Sequence, residues 1–496
     1  MNPINPAVSD VRGVHTSGVH TRGVHTRGVH APAIHAPPIL PAPLPRQGSV
    51  SFLEFIRIMR DNTIAAYPQE AYELDIIESK LLWRHRFIVN DPAAVKRVLL
   101  DNAANYQKTE ITRRMLEPGL GKGLITSEGE TWKAHRRTMT PAFDLRSVAT
   151  YTPVMTRAAE ELVEEWRSRS DGAAVDVAKA MMEVTLQIIS RTMFSSDSQH
   201  MTAIMERGAG DFQAQMRPNL LDFIGMPAWL AGLGRFNVAK RSLGEFDTVI
   251  DGLIAARTAS LANAPKDLLS RLIAARDEQT GIGMSAQEVR DHVITIFMAG
   301  HETTAMAMTW TWYLLSQHPA VEMKLHEELD AVLGGRTPTH DDLPRLTYTR
   351  MIIEESMRIY PPVHTIARVA LADDTLCGRV IPKGATIMIV PWLLHRHNKL
   401  WPNPGRFIPE RFGPEQSAQR ARFSYLPFGG GKRICIGAAF ALAEATVLLA
   451  TIANRCRLTL VPGHPVEPQA LITLKARHGL KMMVNARAGI HAGGDT

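Results

Sequence analysis

The stretch PFGGGKRICIG, residues 427–437, sets one cysteine behind three glycines and two basic residues. The chain has only three cysteines, Cys377, Cys435 and Cys456, in 496 residues. A thiolate needs nearby positive charge or free N–H groups to hold its negative charge. Lys432 and Arg433 offer the first. The second comes from Gly437, which opens the Ala- and Leu-rich run AAFALAEATVLLA and so places the sulfur near a helix N-terminus. One cysteine without close partners builds neither a zinc nor an iron–sulfur site, whereas a single axial thiolate to haem iron fits the count. A buried small hydrophobe, or a nucleophile lacking an adjacent histidine, are the readings this stretch alone leaves open.

The totals narrow the class. Three cysteines make no disulfide framework, which points to a reducing compartment. The 56 basic and 49 acidic residues leave +7, without the Lys/Arg runs interleaved with aromatics that mark nucleic-acid binding. No run of about 18 apolar residues and no cleavable leader stand out, so the expectation is a soluble, cytoplasmic monomer without a transmembrane anchor.

Residues 13–32 repeat GVHTS, GVHTR, GVHTR and GVHAP, a period of five that suits neither helix nor strand. With the proline-rich stretch that follows, residues 1–47 read as a disordered tail, 48–490 as one large domain and 491–496 as a flexible end. Apolar residues recur at three- and four-residue spacing over 154–194, 240–275, 285–318 and 438–456, which predicts long helices. Strand patterns are confined to about 73–90, 376–391 and 457–487. The fold class is mainly α with minor β.

Other motifs stand in order along the chain. In FMAGHETTAM (297–306), Ala299 and Thr303 share a helix face, and Glu302 sets a carboxylate beside the Thr303 hydroxyl. EESMR carries Glu355 and Arg358 three apart, PERF carries Arg411, and TWKAHRR carries Trp132 and Arg136 four apart. Taken with FGGGKRICIG, these resemble the cytochrome P450 family over about residues 48–490, in a soluble, bacterial-type form. Phe428, Gly431, Arg433, Cys435 and Gly437 match its haem loop. The resemblance implies the P450 fold, haem b (iron protoporphyrin IX), Cys435 as iron ligand, and Trp132, Arg136, Arg368 and Arg433 at the haem propionates. It gives Thr303 and Glu302 the catalytic delivery of protons, and Glu355, Arg358 and Arg411 a structural role.

By the same resemblance Ile125, Ala299, Val363 and Ile472 face the substrate, and the apolar segment 217–234 covers the entrance. An all-aliphatic pocket suits an apolar substrate such as a fatty acid or terpenoid. The implied activity is an O₂-dependent monooxygenase fed by a separate ferredoxin- or flavodoxin-type donor with its reductase. Lys133, Arg137 and Lys432 would serve a basic docking face. A peroxide-driven peroxygenase or isomerase, and a non-catalytic haem sensor, are the competing classes.

Overall fold

Helix Ala286–Gln317, the longest of the described helices, is apolar almost all round, and such a helix must run through the interior. Ser285 and Glu288 form a reciprocal capping box at its start, and Pro319 two residues past its end opens the next helix. In the computed structural model, residues 40–48, 50–81, 84–195, 204, 208 and 235–487 are described. The pentapeptide repeat, the apolar segment 217–234 and residues 491–496 lie outside them.

Six helices build the site: α1 (Gly129–Met139), α2 (Leu145–Arg167), α3 (Val177–Phe194), α4 (Ala286–Gln317), α5 (Thr347–Ile359) and α6 (Ala438–Arg455). α4 packs chiefly on α3, and α6 on α2, around one large apolar core. A second core lies under a five-stranded sheet ordered Ile76–Leu81, Arg84–Val89, Thr386–Ile389, Ile366–Ala370, Tyr106–Gln107. By length and composition α6 could cross a membrane, the one such helix among the described residues, yet 67% of it is buried inside the fold.

Two of the expected long helices are interrupted. The pattern over 154–194 splits into α2 and α3 around strand Ala173–Asp176, because SRSDGAA carries turn residues and Asp176 caps α3. The pattern over 240–275 splits after Arg235–Ala259, and Asp267 restarts it as Leu268–Ala274. The tail boundary also differs. The Tyr360 hydroxyl donates to Pro41 O at 2.9 Å and Arg46 N–H to Tyr67 O at 2.9 Å, so the proline-rich stretch is docked from Leu40 onward.

Glu355 and Arg358 on α5 are fully buried, with Arg358 Nε and Nη2 on the two carboxylate oxygens at 2.6 and 2.7 Å. Arg358 also donates to the carbonyls of His395, Pro404 and Arg406 at 2.8–2.9 Å. Glu355 Oε1 accepts from Ile408 N–H at 2.9 Å and from Arg411 Nε at 3.3 Å. As a bare i, i+3 pair on a surface these residues would contribute little; buried, they pin the whole 395–411 segment. Glu355→Ala would leave Arg358 charged and unpaired in the core. The expected loss is about 3–5 kcal/mol by urea unfolding, and a loss below about 1 kcal/mol would return the pair to the surface class.

Candidate active site

The loop before α6 is shaped by its glycines. Gly431 has φ +66°, and a Cβ there would sit 2.0 Å from Leu99 O, so no side chain fits. A Cβ on Gly430 would press on Leu426 Cδ2 at 3.0 Å. The turn brings Cys435 N–H back to Phe428 O at 2.9 Å, and Gly437 caps α6. The Cys435 surface opens into a cavity of ≈ 420 Å³, while protein packs closely on its other sides. Burial pushes the thiol pKa up, and the Gly437 N–H and the Arg136 guanidinium pull it partly back. A cation in place of the thiol proton would complete that balance, which is the setting of a metal-bound thiolate.

Across the cavity lie Ala299, Gly300 and Thr303 of α4, with Leu124, Ile125, Ile189, Val363 and Ile366 around the wall. The Thr303 hydroxyl donates to Ala299 O at 2.9 Å. Thr304, Thr309 and Thr311 make the same bond four residues back on this helix, so the bond itself singles out nothing. Of these, Thr303 and Thr304 line the cavity, and Thr303 shares the helix face of Ala299.

One edge of the cavity is cationic. Arg136 donates to Ile434 O at 2.8 Å, Arg368 to Ala367 O at 2.8 Å, and Arg433 stacks 4.2 Å over the Trp132 ring while pairing with Glu128. Burial lowers the pKa of all three arginines, that of Arg368 to about 10, so each stays charged at neutral pH. Lys108 joins them on the wall. Three arginines and Lys108 thus line the cavity, and Glu128 is the carboxylate that pairs with Arg433 and approaches Lys108 Nζ at 3.9 Å. Such an edge calls for a ligand bearing more than one negative charge. A group with two carboxylates on one rim and a metal for Cys435 to ligate would fit this donor set.

The structure thus gathers Cys435, Gly437, Phe428, Trp132, Arg136, Arg368, Arg433, Ile125, Ala299, Val363 and Thr303 on one cavity, with Gly431 behind the loop. It turns two expected residues elsewhere. Glu302 is buried and accepts from Thr473 Oγ1 and Lys475 Nζ, each at 2.8 Å, because adjacent helix residues point about 100° apart. Ile472 is 39% exposed at the tip of a turn and does not line the cavity, since its neighbours Thr473 and Leu474 take the inward positions. On the expected docking face, Lys133 pairs with Glu130 and Arg137 with Asp277, which leaves Lys432 exposed beside the loop.

Sequence reasoning missed Lys108, Glu128 and Glu444. Lys108 follows a two-residue strand with no spacing signature, and Glu128, at the α1 N-cap position, resembles an ordinary acidic helix start. Glu444 on α6 is buried, neither oxygen makes a hydrogen bond of good geometry, and nearby Thr304 pulls on it only weakly. Burial pushes its pKa up to about 8. The folded state therefore holds a proton that the unfolded chain loses above about pH 4.5. Stability should fall as pH rises from about 4.5 to about 8 and level off above that. Glu444→Gln should flatten that fall in denaturant titrations; an unchanged pH profile would show that the carboxyl is charged in the fold.

Comparison with known proteins agrees with this geometry. The cytochrome P450 family model matches residues 38–480. Cyclooctatin synthase of Streptomyces melanosporofaciens is 38% identical over 410 residues, 81% of this chain and 87% of that protein. Cyclooctat-9-en-7-ol 5-monooxygenase of the same organism is 34% identical over 398 residues, 78% of this chain and 83% of that protein. The crystal structure of the cytochrome P450DA heme domain superposes with a TM-score of 0.74 at 26% identity, covering 88% of this chain and 93% of that one.

Proposed function

The chain belongs to the cytochrome P450 family, and from that premise we propose that it oxygenates a neutral, apolar, terpenoid-like molecule, with Cys435 as the iron ligand. Haem, when bound, supplies the activation of O₂ that puts one oxygen atom into a substrate C–H bond and the other into water. The chain's residues do the rest. Trp132, Arg136, Arg368 and Arg433 hold the propionate edge. The α4 wall at Ala299 and Gly300 excludes bulk from the reacting face, and the Thr303 hydroxyl, its own proton on Ala299 O, would accept from and orient a water beside that face for proton delivery. Glu302, held by Thr473 and Lys475, stands one layer behind that hydroxyl.

The observation that carries the substrate class is the distribution of charge. Every charged residue on the described wall, namely Lys108, Arg136, Arg368 and Arg433, belongs to the propionate edge, and the rest of the wall is mostly aliphatic. No anchor for a fatty-acid carboxylate stands among these residues. A relative named for oxygenating an unsaturated alcohol agrees with a neutral substrate. The electron donor is a ferredoxin- or flavodoxin-type protein with its reductase, met on the face that exposes Lys432. The enzyme acts as a cytoplasmic monomer.

Three measurements test this reading. Cys435→His should abolish the red-shifted ferrous–CO band of thiolate-ligated haem; an unaltered band would remove Cys435 as the ligand. Neutral terpenoids and their alcohols should shift the haem from low to high spin and be turned over, whereas free fatty acids should do neither. With the same substrate, Thr303→Ala should consume electrons but release peroxide or water in place of product. Preferential turnover of free fatty acids, or full coupling in Thr303→Ala, would overturn the corresponding assignment.

A further inference from the structure

Helix Glu110–Leu120 ends against α4, and the residues that follow it are seated on a ledge made by Asp291 and Thr295. These two stand four apart, so their side chains lie one above the other on one face of α4. The Lys122 N–H donates to Asp291 Oδ2 at 2.7 Å. On either side of that bond the chain carries no side chain to hold it off the helix. Gly121 has φ +59° and ψ −149°, and a Cβ there would fall 2.2 Å from Asp291 Cγ. A Cβ on Gly123 would fall 2.0 Å from Thr295 Oγ1 and 3.0 Å from Asp291 O. Glycine at both positions lets the backbone lie directly on α4.

The loop is also closed on itself. Thr126 Oγ1 donates between Gly121 O at 2.6 Å and Gly123 O at 3.1 Å, and Ser127 N–H donates to Gly123 O at 2.9 Å. Lys108 Nζ holds the far end through the carbonyls of Leu124 and Ser127, at 3.2 and 3.0 Å. Residues 121–127 are therefore one unit with two anchors, Asp291 and Lys108. Between the anchors stand Leu124 and Ile125, and both line the cavity with Thr295 and Ala299. Asp291 is 6% exposed and lies behind that wall, not in it. Its other oxygen accepts from Gln287 Nε2 at 2.8 Å and Arg290 Nη1 at 3.0 Å, and Arg290 pairs with Asp247 of helix Arg235–Ala259 at 2.5 Å. The carboxylate is thus fixed from the rear, and its bond to the loop is charge-assisted.

Resting on the haem-thiolate reading, we propose that Asp291 is a positioning residue for substrate selectivity. By fixing the loop 121–127 on α4, it holds Leu124 and Ile125 as a rigid wall that limits the width of the substrate half of the cavity. Asp291 touches no substrate and acts only through the loop. Released from Asp291, the loop pivots about its Lys108 end and the wall retreats from Ala299. A bulky guest then gains room, while a small guest that never reaches the wall is unaffected. The contact works by excluding the larger guest, which is selectivity through a difference of affinities. An amide oxygen in the same place would accept the same N–H, so asparagine should preserve the wall where alanine does not.

The test uses the haem-loaded protein and two azoles that ligate ferric haem, imidazole and the bulky triaryl clotrimazole, each titrated by the shift of the Soret band. Neither requires the natural substrate. Asp291→Ala should tighten clotrimazole by about tenfold, the scale of one lost charge-assisted hydrogen bond, and leave imidazole unchanged. Asp291→Asn should keep both affinities at the wild-type values. Hydrogen exchange of the peptide spanning 120–127 should quicken in Asp291→Ala and not in Asp291→Asn. Gly123→Ala moves the same wall without touching the carboxylate. Its Cβ should lift the loop off Thr295 and tighten clotrimazole, and adding Thr295→Ala should bring the affinity back towards wild type. An unchanged clotrimazole-to-imidazole ratio in Asp291→Ala, or an equal shift in Asp291→Asn, overturns the inference. Should Asp291→Ala fail to fold, an unchanged ratio in Gly123→Ala overturns it instead. A thiolate ferrous–CO band in wild type keeps the haem-thiolate reading whatever the ratios do, and its absence would sink both. Ratios that move as expected while neutral terpenoids leave the haem spin state unchanged would support the inference and remove only the terpenoid assignment.

Discussion

Arg358 has no exposed surface, and its charge is held by one carboxylate, Glu355, and three backbone carbonyls. Everything on the cysteine side of the cavity hangs from that arrangement. The segment it fixes carries His395, whose Nε2 accepts from Leu426 N–H at 2.8 Å. Leu426 in turn packs against Gly430 and stands two residues before Phe428, whose carbonyl receives the Cys435 N–H. The Tyr425 hydroxyl closes the circuit by donating to Glu354 O at 2.7 Å, back on α5. A buried ion pair often adds less than a well-packed apolar substitute would. Here its geometry does something an apolar pair could not, because of five donors aimed in a plane two hold the carboxylate and three satisfy backbone carbonyls of an irregular segment.

The opposite balance governs the propionate edge. There, cations outnumber the contacting carboxylate, and each cation is already depressed by burial. An interior that holds unneutralised charge is costly on its own account. The same cost makes the site selective, since a neutral guest would leave it unrelieved and a dianion removes it. The substrate half of the cavity inverts this logic. Its wall is apolar, so it gives no return for the desolvation of a charged guest. One cavity is thereby divided into a half that demands charge and a half that rejects it.

How much of this was legible in the sequence depended on the physical origin of each feature. Glycines held at positive φ, as Gly431 is at +66°, are fixed by local geometry and can be recognised in a short stretch, whereas the Leu99 carbonyl that crowds Gly431 comes from far along the chain. The same holds for Arg136 and Arg433, which stand four residues from Trp132 and two from Cys435 along the chain. Lys108 and Glu128 act through tertiary approach across segments that carry no pattern of their own, so their role becomes visible only in space. The break between α2 and α3 was visible as SRSDGAA, yet helical periodicity on both sides outweighed it in the reading. Burial was the least legible quantity. Glu355 and Arg358 have the spacing of a weak surface pair, and nothing local announces that they are wholly enclosed.

Glu302 shows how a single helix divides labour among neighbouring positions. With about 100° between successive side chains, three consecutive residues of α4 must face three environments. Thr303 meets the cavity, and Glu302 meets Thr473 and Lys475 of the C-terminal strands. Thr304 reaches the cavity edge on the side where α6 places Glu444. Lys475 is 37% exposed, so the Glu302 carboxylate links a group in contact with solvent to the helix turn that bears the hydroxyl.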